Sequence, residues 1–213
     1  MEALCRALYL RAKRFSYRRQ ATAPLRQCWQ CSPGRVAEDR EAAYLAVDLE
    51  TTALSPDEGE VVSVAWVVLS GGEIDLSSAA HRLVQARSDV GHSATIHHLR
   101  DCDREGGEDG ERVMRDLLVA AAGKTLLLHG GALDIAFLNQ LSRRYFCAPL
   151  LLPFADTLQQ ERRRRMRHQD VLKPGELRLA DCRKHYGLPP YPAHNALSDA
   201  FATAELFLAM HAR

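Results

Sequence analysis

Tyr44-Leu-Ala-Val-Asp48-Leu-Glu50-Thr51-Thr52 is the stretch on which the reading of this chain turns. Its short apolar run is that of a buried strand, and the two acids close it. Side chains on a strand alternate with period two, so Asp48 and Glu50 project from one face. Two carboxylates side by side on an apolar strand repel each other unless a cation sits between them. A lone Asp-x-Glu is equally a solvated strand end, and what surrounds it decides. Thr51-Thr-Ala-Leu54-Ser-Pro56 follows, and then the β-branched run Val61–Leu69. That run stops at Gly71-Gly72, which is hairpin-turn chemistry, and resumes near Ala79–Gln85. The expectation is an antiparallel start of three strands.

Further along, strands and helices alternate. Glu111–Ala122 has helical spacing and closes on Gly123, and Thr125–Leu128 reads as a fourth strand. Ala132–Tyr145 carries Leu133, Ala136, Phe137 and Leu141 on one face. Leu177–Tyr186 is a helix stopped by Gly187 and Pro189-Pro190. Asn195–Met210 spaces Leu197, Ala200, Phe201, Ala204 and Phe207 for a core face. Antiparallel strands first, then strand–helix alternation, predict an α/β fold with a mixed sheet and helices on both sides.

Two more acid-bearing segments lie at predicted helix starts. His129-Gly-Gly-Ala-Leu-Asp134 leads from the fourth strand into a helix, and His194-Asn-Ala-Leu-Ser-Asp199 opens the last one. Taken singly, Asp134 and Asp199 are ordinary first-turn acids favoured by the helix dipole. Taken together, four acids and one histidine on strand ends and helix starts make a hard-oxygen site suited to Mg²⁺ or Mn²⁺. Two other patterns carry less. Asp101-Cys-Asp103-Arg-Glu105 begins like a calcium loop but has Arg112 where a bidentate Glu is needed. Cys28-Trp-Gln-Cys31 is half of a zinc site with no second half, so ordinary thiols beside a partly buried Trp29 are expected.

In order and spacing, Val47-Asp48-Leu-Glu50-Thr-Thr, His129…Asp134…Phe137-Leu138 and His194-Asn-Ala-Leu-Ser-Asp199-Ala resemble the three exonuclease motifs of the DEDDh superfamily. The likeness covers about residues 43–211 and is greatest to the proofreading epsilon subunit of bacterial replicative polymerase and its stand-alone relatives. Ile96-His97 and Asp156-Thr-Leu158 fit as intermediate landmarks. The histidine lies five residues before Asp199, and Asn195 occupies the place of the tyrosine in the tyrosine branch. Gly130 stands where the second motif usually has Asn, Leu133 where an aromatic is common, and Ala53 where Gly is usual.

The resemblance implies a ribonuclease H-like five-stranded mixed sheet and a metal-dependent 3′→5′ exonuclease. It would act on single-stranded DNA or 3′ ends and release nucleoside 5′-monophosphates with two divalent ions. Asp48, Glu50 and Asp199 would hold one ion, Asp48 and Asp134 the second, and His194 would act as general base. Thr51, Leu54, Ile96 and His97 would hold the terminal nucleotide. A 3′→5′ exoribonuclease or short-oligonucleotide trimmer is the alternative, and a catalytically silent nucleic-acid-binding module a more distant one. DNA or RNA preference turns on how the pocket treats one 2′-OH.

Composition fits this picture. The 213 residues are 46% hydrophobic and 26% charged, the balance of a globular domain with a core. No apolar run approaches the roughly 20 residues of a membrane span. The six cysteines are scattered and read as reduced thiols in a cytoplasmic protein. The net charge of +1 conceals an asymmetry: residues 1–40 carry +6 and the rest −5. We therefore expect a basic arm, 1–42, ahead of an exonuclease domain, 43–213. The arm reads either as a nucleic-acid contact or as a helix docking Leu4, Leu8 and Phe15 on the body. Arg162–Arg165 with Arg167 is a second basic run, expected to be a solvated face of which part tracks phosphates. No polymerase- or clamp-binding tail is expected after the last helix.

Overall fold

The computed structural model describes residues 2–34, 36, 39–85, 107–167, 175–192 and 194–212. One sheet organises them. Its strands are β1 (Tyr44–Thr51), β2 (Val61–Ser70), β3 (Glu73–Leu83), β4 (Thr125–Leu128) and β5 (Phe154–Asp156), in the order β3-β2-β1-β4-β5. The first three pair antiparallel, and β4 and β5 add parallel to β1. This is the mixed ribonuclease H-like sheet expected. The helices are α1 (Glu2–Tyr17), α2 (Ala23–Cys31), α3 (Gly110–Ala121), α4 (Ala132–Phe146), α5 (Thr157–Arg167), α6 (Leu179–His185) and α7 (Ala196–Met210). Among the described residues no helix is long and apolar enough to cross a membrane.

Alternation along β1 builds two cores. Leu45, Val47 and Leu49 face a cluster with Leu25 and Trp29 of α2, Met114 and Leu117 of α3, and Phe137 and Leu141 of α4. Tyr44 and Ala46 face the other way, onto Ala204 and Phe207 of α7, with the Tyr44 and Phe207 ring centres 4.7 Å apart. Two helical layers thus enclose a sheet whose central strands are buried on both faces, which is why β2 and β4 read as near-continuous apolar runs, with Ser63 and Thr125 also buried.

Two boundaries differ from expectation. β3 begins at Glu73, directly after Gly71 (φ +59°) and Gly72 (φ +74°). Positive φ at both turn residues is the two-residue hairpin geometry that glycine makes cheap. The sequence hides this start because β3 is the edge strand and bulges: Val68 pairs with Asp75 and Trp66 with Ala80. The Ser78 hydroxyl fills the gap, accepting the Val68 N–H at 2.8 Å, while Leu76 stands exposed. Helix α6 starts at Leu179, not Leu177, because the Leu177 carbonyl is turned to His129 Nε2 at 2.9 Å.

The arm is helical but does not dock through Leu4, Leu8 and Phe15, which are all exposed. Instead α2 inserts Leu25, Cys28 and Trp29 into the main core, and Trp29 Nε1 donates to the Leu150 carbonyl at 2.6 Å. Arg14 pins α1 by donating to the Leu151 carbonyl at 2.9 and 2.7 Å and to Ser32 Oγ at 2.9 Å. Burial pushes the Cys28 thiol up to about 11, as expected of an inert packing thiol, while Cys31 is exposed. The calcium-like segment from Asp101 to Glu105 lies outside the described residues.

The second basic run divides. Arg165 pairs with the buried Glu161 at 2.7 Å, and Arg164 donates to the Met210 carbonyl at 3.2 Å. Both are structural, whereas Arg162 and Arg167 are exposed.

Candidate active site

The C-terminal ends of β1 and β4 are where this sheet turns from core to site. Continuing the alternation of Tyr44 and Ala46 sets Asp48 and Glu50 on the α7 side of β1, and the first turn of α7 brings Asp199 to them. One carboxylate oxygen from each of the three lies within 4.8 Å of the others, and all three are half-buried. The β1–β2 register shifts between Glu50 and Thr51, so the strand bends away just past the acids. Open parallel strands present ligands at such carboxyl ends.

Asp199 is held by its own helix start. Asn195 caps α7, its side chain accepting the Ser198 N–H at 3.1 Å. The Asp199 carboxylate reaches back to the backbone N–H groups of His194 and Asn195. His194 sits just outside the helix at φ +64°, a left-handed conformation that a histidine adopts at some cost.

Asp134 comes from the opposite layer, in the first turn of α4. The turn before it is shaped by two glycines. Gly130 has φ +71°, where Gly is free and Asn is the next most tolerant residue, so the change from the usual Asn keeps the turn. A Cβ on Gly131 would come within 2.5 Å of the Leu128 side chain. Asp134 couples by charge to Asp48 and Glu50 and is hydrogen-bonded to the Leu49 backbone, without joining the 4.8 Å set.

Burial leads the electrostatics of all four acids, and mutual repulsion adds to it at Asp48, Glu50 and Asp134. Burial, then Asp134, Asp199 and Glu50, drive the Asp48 carboxyl well above the usual range. Burial, with Asp156 and Glu50 adding, raises Asp134 to about 6 against opposing backbone hydrogen bonds. Glu50 is raised by burial and Asp199, with His194 opposing. Asp199 is raised by burial, with the His194 and Asn195 N–H groups and the charges of His194 and Arg183 opposing. Among the described residues no lysine or arginine pairs with Asp48, Glu50 or Asp134. A half-buried, all-carboxylate donor set in which Asp48 and Asp134 feel no cationic side chain fits a hard divalent cation.

The remaining expected residues divide. The Thr51 hydroxyl donates to the Ala53 carbonyl at 2.9 Å, so it shapes its own loop. Leu54 is 87% exposed, at the tip of that loop. Ile96 and His97 lie outside the described residues.

Sequence reasoning took Asp156 as a landmark and gave it no role in the site. Its Oδ1 accepts the N–H of Gly130 at 2.9 Å and of Leu158 at 3.0 Å, and its Oδ2 accepts that of Gly131 at 3.2 Å. One carboxylate thus caps α5 and fixes the turn that launches Asp134. An acid at a strand-to-helix junction was the available signal. His129 is a second such anchor. Burial lowers its pKa, so it is neutral, and Nε2 must carry the proton because Leu177 offers only a carbonyl. Nδ1 then accepts from the Thr157 hydroxyl at 2.8 Å. Arg183 is a third: buried, it donates to the carbonyls of Ala202 (2.8 Å) and Pro189 (2.9 Å), tying the segment before His194 to α7.

Comparison with known proteins agrees with this geometry. The exonuclease family model RNase_T matches residues 45–207. The chain is 25% identical over 169 residues to the DNA polymerase III PolC-type protein of Thermotoga maritima, and 25% over 168 residues to that of Thermotoga petrophila. These alignments cover 79% and 78% of this chain but only 12% of each relative. Among solved structures, Escherichia coli exonuclease I in a zinc-bound complex with single-stranded DNA superposes with TM-score 0.69 at 17% identity. That match covers 81% of this chain and 41% of the other. A chain of the structure of the yeast NOT1 MIF4G domain co-crystallized with CAF1 gives TM-score 0.62 at 10% identity, covering 79% and 77%. Three motif segments in order, a mixed sheet that gathers their acids at one end, and a family match over most of the chain lead to one assignment: the chain belongs to the exonuclease family, in the DEDDh superfamily of ribonuclease H-like fold.

Proposed function

We propose that the chain is a 3′→5′ exonuclease that removes nucleoside 5′-monophosphates from single-stranded DNA at the 3′ end. The observation that carries this is the set of three carboxylates within 4.8 Å, with Asp134 coupled to them and His194 beside Asp199. Asp48, Glu50 and Asp199 would hold one divalent cation, Mg²⁺ or Mn²⁺, and Asp48 with Asp134 a second. When bound, the ions supply an acidified water and neutralise charge on the phosphate and leaving oxygen.

The chain's own residues do the rest. His194, outside α7 and free of the sheet, takes the proton of the attacking water in its neutral form. Asp199, clasped by the N–H groups of His194 and Asn195, keeps that imidazole near the acids. Leu54 at the tip of the loop after β1 lies against the terminal base, and the Thr51 segment faces the 3′-OH. Asp156 and His129 hold the turn from which Asp134 projects.

The test is side-by-side digestion of 3′-labelled single-stranded DNA and RNA of equal sequence, with Mg²⁺, with Mn²⁺ and with EDTA. Cation-dependent release of 5′-mononucleotides, faster from DNA and blocked by a 3′-phosphate, is expected. Hydrolysis that survives EDTA, or nicking of circular single strands, overturns the reading. RNA degraded faster than DNA reassigns the substrate.

A further inference from the structure

We propose that the outer face of α1 is a second contact for single-stranded nucleic acid, leading away from the catalytic end along edge strand β5. This rests on the nuclease reading above. Residues 3–37 hold eight arginines and lysines and no acid, whereas the rest of the chain beyond residue 40 carries −5. A polyanion approaching an acidic body needs such an attractor.

The face of α1 that carries these charges is not spent on folding. The helix is fastened by Arg14, whose guanidinium serves Leu151 and Ser32, and by the half-buried Leu10 and Tyr17. Two of its three aromatic rings are left outside: Tyr9 is 56% exposed and Phe15 67%. Each exposed ring has a cation over it, Lys13 Nζ at 5.7 Å from Tyr9 and the Arg18 guanidinium at 4.5 Å from Phe15. Rings interleaved with cations supply what a single strand needs, a surface for bases beside partners for phosphates. Between α1 and α2 runs a groove of about 520 Å³, lined by Leu4, Leu8, Arg11, Arg18, Arg26 and Trp29 among others.

Position selects the occupant. The Arg6 guanidinium lies 3.9 Å over the Phe154 ring, at the first residue of β5. Asp156, the last residue of that three-residue strand, holds the turn that launches Asp134. Arg6 therefore reaches β5 two residues, about 7 Å of strand, from the acid that holds the catalytic turn. An anionic membrane or an acidic helix could use the charge and the leucines, but neither needs this continuity with the site. From Asp156 past Arg6 to Arg19 is about 27 Å, on the order of eight nucleotides at 3.4 Å each, so the roughly 7 Å of a dinucleotide in the site stops short of residues 9–19.

The experiment uses the full chain in two variants, one with Arg11, Lys13, Arg18 and Arg19 changed to Gln, the other with Tyr9→Ser and Phe15→Ser. Binding of a fluorescent single strand of about 25 nucleotides is read by anisotropy in EDTA, and KM by digestion with Mg²⁺. The charge variant should raise Kd and KM more than tenfold and flatten the slope of log affinity against log salt by up to about 3, at 0.7 per contact. The ring variant should raise both about tenfold with the salt slope kept. Melting temperature and turnover of a dinucleotide should not change, since every altered group is exposed. Wild-type-like binding of the long strand by both variants overturns the proposal. So does an equal loss on the dinucleotide, or α1-dependent binding to phosphatidylserine vesicles with the strand unaffected. If no strand is hydrolysed and anisotropy still depends on α1, the nuclease reading fails and the contact stands. If strands are hydrolysed and the variants bind normally, the reverse holds.

Discussion

Asp48, half-buried, and Glu161, fully buried, are carboxylates of the same domain whose surroundings push them in opposite directions. Glu161 on α5 is fully buried, yet both its oxygens are occupied. Tyr186 Oη donates to one at 2.7 Å and Arg165 Nε to the other at 2.7 Å. Burial alone would raise its pKa, but the hydrogen bonds and the Arg165 charge outweigh it, and the group stays below the usual glutamate value. For Asp48, burial and three neighbouring acids all act the same way, upward. Burial is common to both. What separates a structural carboxylate from one awaiting a ligand is whether the chain itself supplies the counter-charge.

The largest expected effect tests that contrast directly. Asp48→Asn should cut kcat by about a thousandfold or more, because it removes a cation ligand at the reacting phosphate. In EDTA the same change should leave the melting temperature level or higher, since it relieves repulsion. Glu161→Gln should behave as the mirror image. It strands Arg165 and loosens α5 from α6, costing about 3 kcal/mol of stability, with kcat of the folded fraction unchanged. If Asp48→Asn destabilises the cation-free protein as Glu161→Gln does, the two carboxylates are of one kind and the contrast collapses. His194→Ala comes next. Loss of a general base should lower kcat by about a hundredfold with KM little altered. A loss lying mainly in KM would make His194 a positioning residue.

A smaller effect should be visible in stability against pH. Asp48, Glu50, Asp134 and Asp199 all have folded-state pKa values above those of the unfolded chain. The cation-free native state therefore binds more protons than the unfolded state, and its stability falls as pH rises from the ordinary carboxylate range through about 6, the Asp134 value. The rise of Asp134 alone is worth on the order of 3 kcal/mol across that window. Glu161 has the opposite sign: its contribution is present above the usual glutamate value and is lost as pH falls through its lowered folded-state value. Thermal melts in EDTA from pH 4 to 7.5 should show the decline for wild type and a flatter line for Asp134→Asn. Adding Mg²⁺ should flatten the wild-type line as well. A wild-type curve that rises across this window would mean that the acids are already paired within the chain.

How much of this could be read from the chain depended on where the determinant lies. Asp48 and Glu50 were legible because strand period and apolar context act locally, and the hairpin at Gly71-Gly72 because its turn needs positive φ. The start of β3 was hidden because an edge strand with a bulge shows neither alternation nor an apolar run. Leu4, Leu8 and Phe15 had the spacing of a docking face, but α1 is held by Arg14 reaching Leu151, 137 positions away. Asp156 and His129 were visible as motif residues, but their anchoring roles escaped for the same reason. Their partners, Gly130 and Leu177, are set by tertiary placement, which no local pattern encodes. The site's acids could be named from sequence, whereas the groups that aim them came only with the fold.

The smallest effect expected lies at the cap of α7, where structure and site meet in one residue. Asn195 accepts the Ser198 N–H at 3.1 Å and gives its own backbone N–H to Asp199. Asn195→Ala removes only the cap, at about 1 kcal/mol, or a few degrees in melting temperature. It should lower the rate by less than tenfold, because Asp199 keeps its backbone clasp. Asn195→Asp retains an acceptor for Ser198, and the helix dipole favours the new charge. It also sets a fifth acid next to four that already repel one another. With Mg²⁺ present its melting temperature should match wild type. In EDTA it should fall below wild type, because the repulsion that the cation screens is then exposed. Equal melting of Asn195→Asp and wild type in both conditions would show that charge at the α7 start does not reach the cluster. The contrast between Asp48 and Glu161 would then rest on Asp48, Glu50 and Asp134 alone.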